Sequence, residues 1–471
     1  MRSRIVMNSR LIAAQLLMAL LLTSCAGGPT GPTQAEKEAA AARFASETAA
    51  AKAAAEEAGR IHIGVAGPMT GDFEVYGNDM RRGAELAVAD INAAGGVLGR
   101  ELVLEVADDH CGIEDADAAA RELVSRGVVF VDGHFCSGSS ILGSKVYAGA
   151  DVLQITPSST NTLLTDTAHR EKVTTLLRVV GRDDMQGDFA AEWLAAAYAD
   201  QPIAIVSDNG LYGKGIAARL LAKLKEKGIR PIIDGQFTQG QTSYATLVEA
   251  LKKSGARVLY VAAYHDDIGR IAWALRVAKL DIELVGPDVL NNPEFWSFSQ
   301  TKGNGARFSD FAPAIERPEA AELVARFRAQ GVEPTNYTLN AYAAVQVFAA
   351  GAEATKGTDA KAIAAYLRAK SVKTVLGELS WDEKGDLKEG NYIWSDIPQV
   401  AYRLSSWLSA AAPEATIFRS RAVFSVAKHP EPVGSSRESL PWWRGGAVFQ
   451  CAGRTCPAAF VEFELGTLSR A

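Results

Sequence analysis

The sequence is poor in cysteine, has no surplus of positive charge and carries none of the familiar catalytic signatures, and each lack closes off a class of function. Five cysteines in 471 residues are too few for a scaffold built on many disulfides. Lysine and arginine number 49 against 55 acids, a net charge of −6, so no general basic field exists to hold nucleic acid or an anionic membrane surface. Apolar residues at 48% and charged ones at 22% give the balance of a globular protein, neither disordered nor polytopic in a membrane. No G-x-G-x-x-G follows the first apolar run, where Gly64, Gly67 and Gly71 are wrongly spaced and Pro68 and Met69 intervene, which argues against a dinucleotide. No P-loop, H-E-x-x-H or G-x-S-x-G occurs either, and the six histidines stand singly, the distribution of satisfied structural histidines. No catalytic residue, cofactor or metal is expected.

What is present begins with an address. Arg2, Arg4 and Arg10 precede an apolar run from Leu11 to Thr23, too short for the ~20 residues of a spanning helix and of the right length for a signal peptide. The run closes on Leu22-Thr23-Ser24-Cys25, which resembles the bacterial lipobox and implies lipidation of Cys25; the alternative is ordinary cleavage after Cys25-Ala26 or Gly27-Gly28. Either route takes the protein out of the cytosol. Residues 26–58 then offer a Pro/Gly start and an Ala/Glu/Lys stretch with almost no large apolar side chain, so the segment is able to form a helix but is expected to bury no face. It is read as a tether, either a spacer from a membrane or an unpacked N-terminal segment.

From Ile61 short apolar runs alternate with amphipathic stretches: IHIGVAG, a helix over about 77–92, ELVLEVAD, a helix near 114–126, and VVFVDG. Met80, Ala84, Ala87, Val88 and Ile91 share one face of a 3.6-residue period, and Gly95-Gly96 supplies the stop. The alternation restarts at 202–208 with PIAIVSD and continues through helices near 213–227 and 243–254 to RVLYVAAY at 257–264. The fold class is therefore α/β, with two doubly wound parallel sheets in succession.

Cys111 and Cys136 each lie just beyond a predicted strand, so their loops meet at one carboxyl edge of the first sheet. In an exported protein such a pair oxidises, and closing a loop of about 26 residues stabilises the fold by roughly 3.5 kcal/mol in the chain-entropy view. Two buried free thiols, or a metal site completed by His110 and His134, are the other readings. Hydroxyls crowd the same edge: Ser137, Ser139 and Ser140 after one strand, then Thr156, Ser158, Ser159 and Thr160 after the next. With the free amides of a helix start they make a neutral-donor site for a carboxylate, unless they serve only as helix caps.

Several blocks in order carry a resemblance to a known family. MTGDFEVYGNDMRRGAELAVADINAAGG, DDHCG with GHFCSGSS, ITPSSTN, LYGKG, YVAAYHDD, GPD at 286–288, YAAVQ and WDEKGDL resemble the periplasmic leucine/isoleucine/valine-binding proteins of ABC importers over about residues 60–400. The resemblance implies a type I periplasmic binding protein: two similar lobes joined by three hinge crossovers, here 60–178 with 312–376 and 179–311 with 377–400, and a ligand in the cleft between them. It implies that Ser137 and Thr160, partly with Ser158 and Ser159, hold an α-carboxylate. Asp288 holds the α-ammonium, beside the Ser158 carbonyl and the Tyr264 ring, and Tyr76, Phe135, Cys136, Tyr212 and Tyr337 line the side-chain pocket. A buried zwitterion needs both ends paired, because a lone desolvated charge costs several kcal/mol.

Two positions depart from the family pattern: Asp288 stands where well-known members have Glu, and Ser158-Ser159 replace smaller apolar residues. The implied function is capture of a small amino acid, branched-chain most of all, by hinge closure and its delivery to the transmembrane permease subunits of an ABC importer. The protein would act as a monomer anchored to the membrane through its lipid. The alternative is a sensor of the same fold for an amino acid, short amide or urea, signalling to a regulatory partner. Beyond about Tyr402 the resemblance ends. The last 69 residues (403–471), with Cys451 and Cys456, are read as an appended segment with a small Cys loop, a disordered tail or a frame-shifted extension.

Overall fold

The computed structural model describes residues 33–303, 305–389 and 392–396, with two short paired strands at Gln450–Cys451 and Arg454–Thr455. The expectations for the signal segment, Cys25, Cys456 and the rest of the tail lie outside the described residues.

The first described element corrects the sequence reading. Helix α1 (Gln34–Glu57) starts with a capping box, Thr33 accepting from the Glu36 amide while Glu36 accepts from the Thr33 amide at 2.7 Å. It was expected to bury no face, yet it docks on the first lobe. Phe44 packs beside Val146 and Ala150, Arg121 lies 5.7 Å over the Phe44 ring, and Lys52 donates to the Ala150 carbonyl at 3.0 Å. Alanine is the reason: a helix of small side chains brings its backbone close to a neighbour, so one phenylalanine suffices as an anchor. The approach is tight at Gly127, where φ is +77° and a Cβ would lie 2.9 Å from the Ala51 carbonyl carbon.

Strands and helices then alternate as β1 (Arg60–Gly67), α2 (Glu74–Ala93), β2 (Glu101–Asp108), α3 (Ile113–Ser125), β3 (Phe130–Gly133), α4 (Ser137–Gly149), β4 (Leu153–Thr156), α5 (Thr162–Arg170) and β5 (Leu176–Arg178). The five strands form one parallel sheet in the order β2-β1-β3-β4-β5. Helices cover both faces, so β3 and β4 are buried at every position, including the polar Asp132, Gln154 and Thr156.

The second lobe follows as α6 (Asp183–Tyr198), β6 (Ile203–Asp208), α7 (Leu211–Glu226), β7 (Ile233–Phe237), α8 (Ala245–Ser254), β8 (Val258–Ala262), α9 (His265–Val277), β9 (Glu283–Gly286), α10 (Phe295–Ser299) and β10 (Arg307–Phe311). The chain returns to the first lobe with α11 (Ala321–Ala329), α12 (Asn336–Thr355), α13 (Ala360–Ala369) and a hairpin of β11 (Val372–Thr374) and β12 (Gly377–Leu379). It crosses a third time to add β13 (Tyr392–Asp396) antiparallel to β10. The second sheet thus runs β13-β10-β9-β8-β6-β7, parallel except at that last strand.

Two contacts seat the returning helices on the first lobe. Gly83 of α2 lets α12 approach until a Cβ would fall 2.1 Å from the Thr338 carbonyl oxygen, and Phe348 stacks on Phe130 at 4.7 Å. Asp90 of α2 accepts from Arg326 at 2.6 Å and from the Tyr342 hydroxyl at 2.7 Å.

The docking of α1 is open to a direct check. Phe44→Ser removes its apolar anchor, and we expect trypsin to cut at Lys52 at least about tenfold faster while the melting temperature of the two-lobed body stays within a degree or two. Equal cleavage rates would show that Phe44 does not hold the helix down.

Candidate functional site

The site starts at the carboxyl edge of the first sheet. Cys111 and Cys136 form a disulfide with their Cα atoms 5.4 Å apart, which settles the alternatives of free thiols or a metal site. Immediately behind it a buried chain runs from Asp109 to His134 Nδ1 at 2.5 Å and from His134 Nε2 to the Tyr147 hydroxyl at 2.9 Å. This satisfied histidine fixes the backbone from which α4 departs, and the Ser140 hydroxyl accepts from the His134 amide at 3.0 Å. Helix α4 begins at Ser137 with no side-chain cap, so its first amides are open to a partner, and the Ser137 hydroxyl accepts from the Asn161 amide at 3.4 Å. The buried Thr160 hydroxyl has no partner among the described residues.

Ser158 and Ser159 do otherwise. The Ser158 hydroxyl donates to the Phe135 carbonyl at 3.2 Å, and that of Ser159 to the same carbonyl at 2.9 Å and to Ser140 Oγ at 2.7 Å. Those two hydroxyls tie the second loop to the first; what the stretch offers a ligand is its backbone.

Asp288 opens a short helical turn after β9 and is 3% exposed. It accepts from the Tyr212 hydroxyl at 2.9 Å, from Gln186 Nε2 at 2.9 Å and from the Tyr337 hydroxyl at 2.6 Å. Tyr337 belongs to α12 of the first lobe, so this carboxylate is read from both sides of the cleft. Burial raises its pKa, and the bonds from Tyr337, Gln186 and Tyr212 pull it back. The Tyr76 hydroxyl likewise crosses the cleft to the Val289 carbonyl at 3.0 Å.

The aromatic residues expected at the site gather into a connected wall. Tyr76 stacks on Phe135 at 4.3 Å and meets Tyr337 edge-on at 5.5 Å, while Tyr212 lies 4.9 Å from Tyr264. Cys136, engaged in its disulfide, is buried directly before Ser137. Such a site has hydroxyls and helix amides at one end, a hydrogen-bonded carboxylate at the other and rings between: the complement of a small zwitterion. Among the described residues no cluster of three or more His, Cys, Asp or Glu is arranged to hold a metal ion.

Residues 60–393 match the family described as periplasmic binding protein. A Leu/Ile/Val-binding protein of Rhizobium johnstonii is 35% identical over 334 residues, which is 70% of this chain and 90% of that one. A leucine-, isoleucine-, valine-, threonine- and alanine-binding protein of Pseudomonas aeruginosa is 34% identical, covering 70% and 88%. Among solved structures, the branched-chain amino acid transporter substrate-binding protein of Streptococcus pneumoniae in complex with isoleucine superposes with a TM-score of 0.63 at 24% identity, covering 71% of this chain and all of that one. The chain belongs to the periplasmic binding protein family. The relatives named above are amino acid-binding proteins, and the family is one of solute-binding proteins.

In this periplasmic binding protein four polar residues of the site had escaped the sequence reading: Gln186, Asp183, Asp310 and His265. Gln186 lies one turn into α6 with nothing local to mark it. Asp183 sits at the start of the same helix, where an acid reads as an ordinary N-terminal residue; it is fully buried and neither of its oxygens finds a partner. Burial, with the nearby Asp288 charge, lifts Asp183 to about 7, and the same two causes lift Asp310 to about 7. His265 contradicts the expectation that every histidine is satisfied, since both ring nitrogens are buried without a partner.

Asp183 and Asp310 release their protons near pH 4 in the unfolded chain and near 7 in the folded one. The folded form binds more protons between those values, so the contribution of the two groups is present below about pH 4 and is lost as the pH rises through about 7. Urea unfolding is expected to give a larger free energy at about pH 5.5 than at about pH 8, and Asp183→Asn to narrow that difference. An unchanged difference in the variant would remove Asp183 from this account.

Proposed function

We propose that this protein is the extracytoplasmic solute-binding lipoprotein of an ABC importer, lipidated at Cys25, which captures a small amino acid of the branched-chain type as a monomer and hands it to the transmembrane permease subunits. The observation that carries the reading is the pairing of opposite ends across one cleft. Ser137, Thr160 and the α4 amides present donors on the first lobe, and Asp288 presents a carboxylate on the second. An α-carboxylate would rest on the helix N-terminus and an α-ammonium on Asp288, with the aliphatic chain against Tyr76, Phe135 and Tyr337.

Capture by two lobes gives a mechanism. A ligand bound to the first lobe alone has its ammonium unpaired, and closure supplies Asp288. Its binding free energy is therefore larger in the closed form, which is the condition for a ligand to shift a hinge equilibrium. The crossovers beside Arg178, Ala312 and Leu379 are the segments that bend, and the permease would read the closed arrangement of the two lobes. Relatives named for leucine, isoleucine and valine support the substrate class.

The test is a calorimetric and thermal-shift survey of the purified protein, freed of its signal segment, against the twenty amino acids. A true ligand at 100 times its dissociation constant adds about 2.7 kcal/mol of stability. We expect at least one small aliphatic amino acid to do so, and Asp288→Ala or Ser137→Ala to weaken it by about a hundredfold. If all twenty leave the melting temperature unmoved, the reading is wrong.

A further inference from the structure

The binding wall contains one group that a purely aliphatic ligand leaves unsatisfied. His265 opens α9 and is 0% exposed. Its ring meets Tyr76 edge-on at 5.1 Å, Phe73 at 5.9 Å and Phe298 at 5.6 Å. Tyr76 in turn stacks on Phe135, two residues before Ser137, and abuts Tyr337, which holds Asp288. The imidazole thus lies in the second lobe against Tyr76 of the aromatic wall, and neither Nδ1 nor Nε2 has a hydrogen-bond partner among the described residues.

We propose that His265 is a specificity-determining residue and that the ligand side chain ends in a short neutral hydrogen-bonding group, a hydroxyl or a carboxamide, which the His265 ring receives. The inference rests on the reading of Ser137 and Asp288 as holders of the amino acid backbone and replaces the purely aliphatic chain of that reading with one that ends in a polar group. A neutral imidazole offers one N–H donor and one lone pair, the complement of a hydroxyl or a carboxamide. The ring is neutral because burial depresses its pKa to about 3, with the Arg270 charge acting in the same sense. Asn292, whose Oδ1 accepts from the Glu294 amide at 2.9 Å, lies beside the Tyr76 side chain of the same wall.

Of the charged neighbours, Arg270 is engaged, while Asp266 keeps one buried oxygen without a partner among the described residues. Asp266 accepts from Arg270 at 2.6 Å, and the Arg270 guanidinium lies 4.6 Å over the Phe298 ring. A hydrocarbon chain in this place covers the two ring nitrogens and gives them nothing, the costly case of a buried polar group without a partner. A site that hydrogen-bonds its ligand discriminates strongly against an isostere lacking that group, whereas an apolar pocket scarcely distinguishes the two.

Near-isosteric pairs decide the matter without altering the protein. Dissociation constants are measured by calorimetry for threonine against valine and for asparagine against leucine, with alanine as a reference that does not reach His265. We expect the polar member of at least one pair to bind at least about tenfold more tightly, threonine if a hydroxyl is read and asparagine if a carboxamide is. His265→Phe, which keeps the ring contacts, should reduce that ratio to about one or invert it. Valine and leucine binding as tightly as their partners, or a ratio untouched by His265→Phe, would overturn the inference while leaving amino acid capture intact. If none of the five amino acids binds, the inference falls together with the reading beneath it.

Discussion

A guanidinium removed from water organises the binding end of the first lobe. Arg178 is 0% exposed at the close of β5, and its Nε reaches Asp386 Oδ1 at 2.7 Å. Its Nη1 donates to the Ser159 carbonyl at 2.7 Å and its Nη2 to the Asn161 carbonyl at 3.0 Å and the Thr165 hydroxyl at 2.8 Å. Those two carbonyls flank Thr160, so the residue expected to meet a carboxylate is held from behind by a buried cation. An ion pair of this kind adds little net stability over an apolar replacement, but removing one partner leaves a bare buried charge and costs about 3–5 kcal/mol. Its use is geometric: a loop that must present one hydroxyl cannot be left to pack loosely.

The same cation also constrains the hinge. Asp386 lies in the third crossover, after Trp381, whose indole donates to the Arg178 carbonyl at 2.7 Å, and Asp386 also takes Arg182 of the first crossover at 2.5 Å. Two of the three strands of chain between the lobes are therefore clipped to one point. Bending around that point would leave the ion cluster intact, whereas sliding would tear it, so the Arg178–Asp386 cluster fits a rotation of the lobes better than a shear.

The periodicities of local sequence reach as far as the elements and their faces. IHIGVAG, ELVLEVAD and the Met80-Ala84-Ala87-Val88-Ile91 stripe become β1, β2 and the inward face of α2 because burial on one side imposes a period that any stretch displays. Pairings across hundreds of residues impose no period. Nothing near Arg178 points to Asp386, and nothing near Tyr337 points to Asp288; the second pair was reached through a family resemblance and the first was not reached at all. Helix α1 was misjudged for another reason, since alanine buries little area yet permits close approach, and a moment-like view of the helix weighs only the former. His265 was misjudged because a lone histidine in a sequence is most often a satisfied one, as His134 is.

The bonds across the cleft set how strongly a ligand has to act. Tyr337 to Asp288 and Tyr76 to Val289 join the lobes through protein groups alone. Each bond is worth about 0.5–1.5 kcal/mol net, somewhat more to the charged oxygen of Asp288, so together they favour closure modestly. Against them stands the burial of the Asp288 carboxylate, which loses water on closure and receives three neutral donors but no cation from the protein. A ligand ammonium would supply the missing charge in the closed form alone. Moving a hinge from mostly open to mostly closed needs about 5.5 kcal/mol of differential affinity, and a desolvated ammonium–carboxylate contact backed by the opposite carboxylate on α4 is of that order. Keeping Asp288 buried and short of a countercharge is thus a cost in the unliganded protein that would make closure, in the proposed mechanism, depend on the ligand.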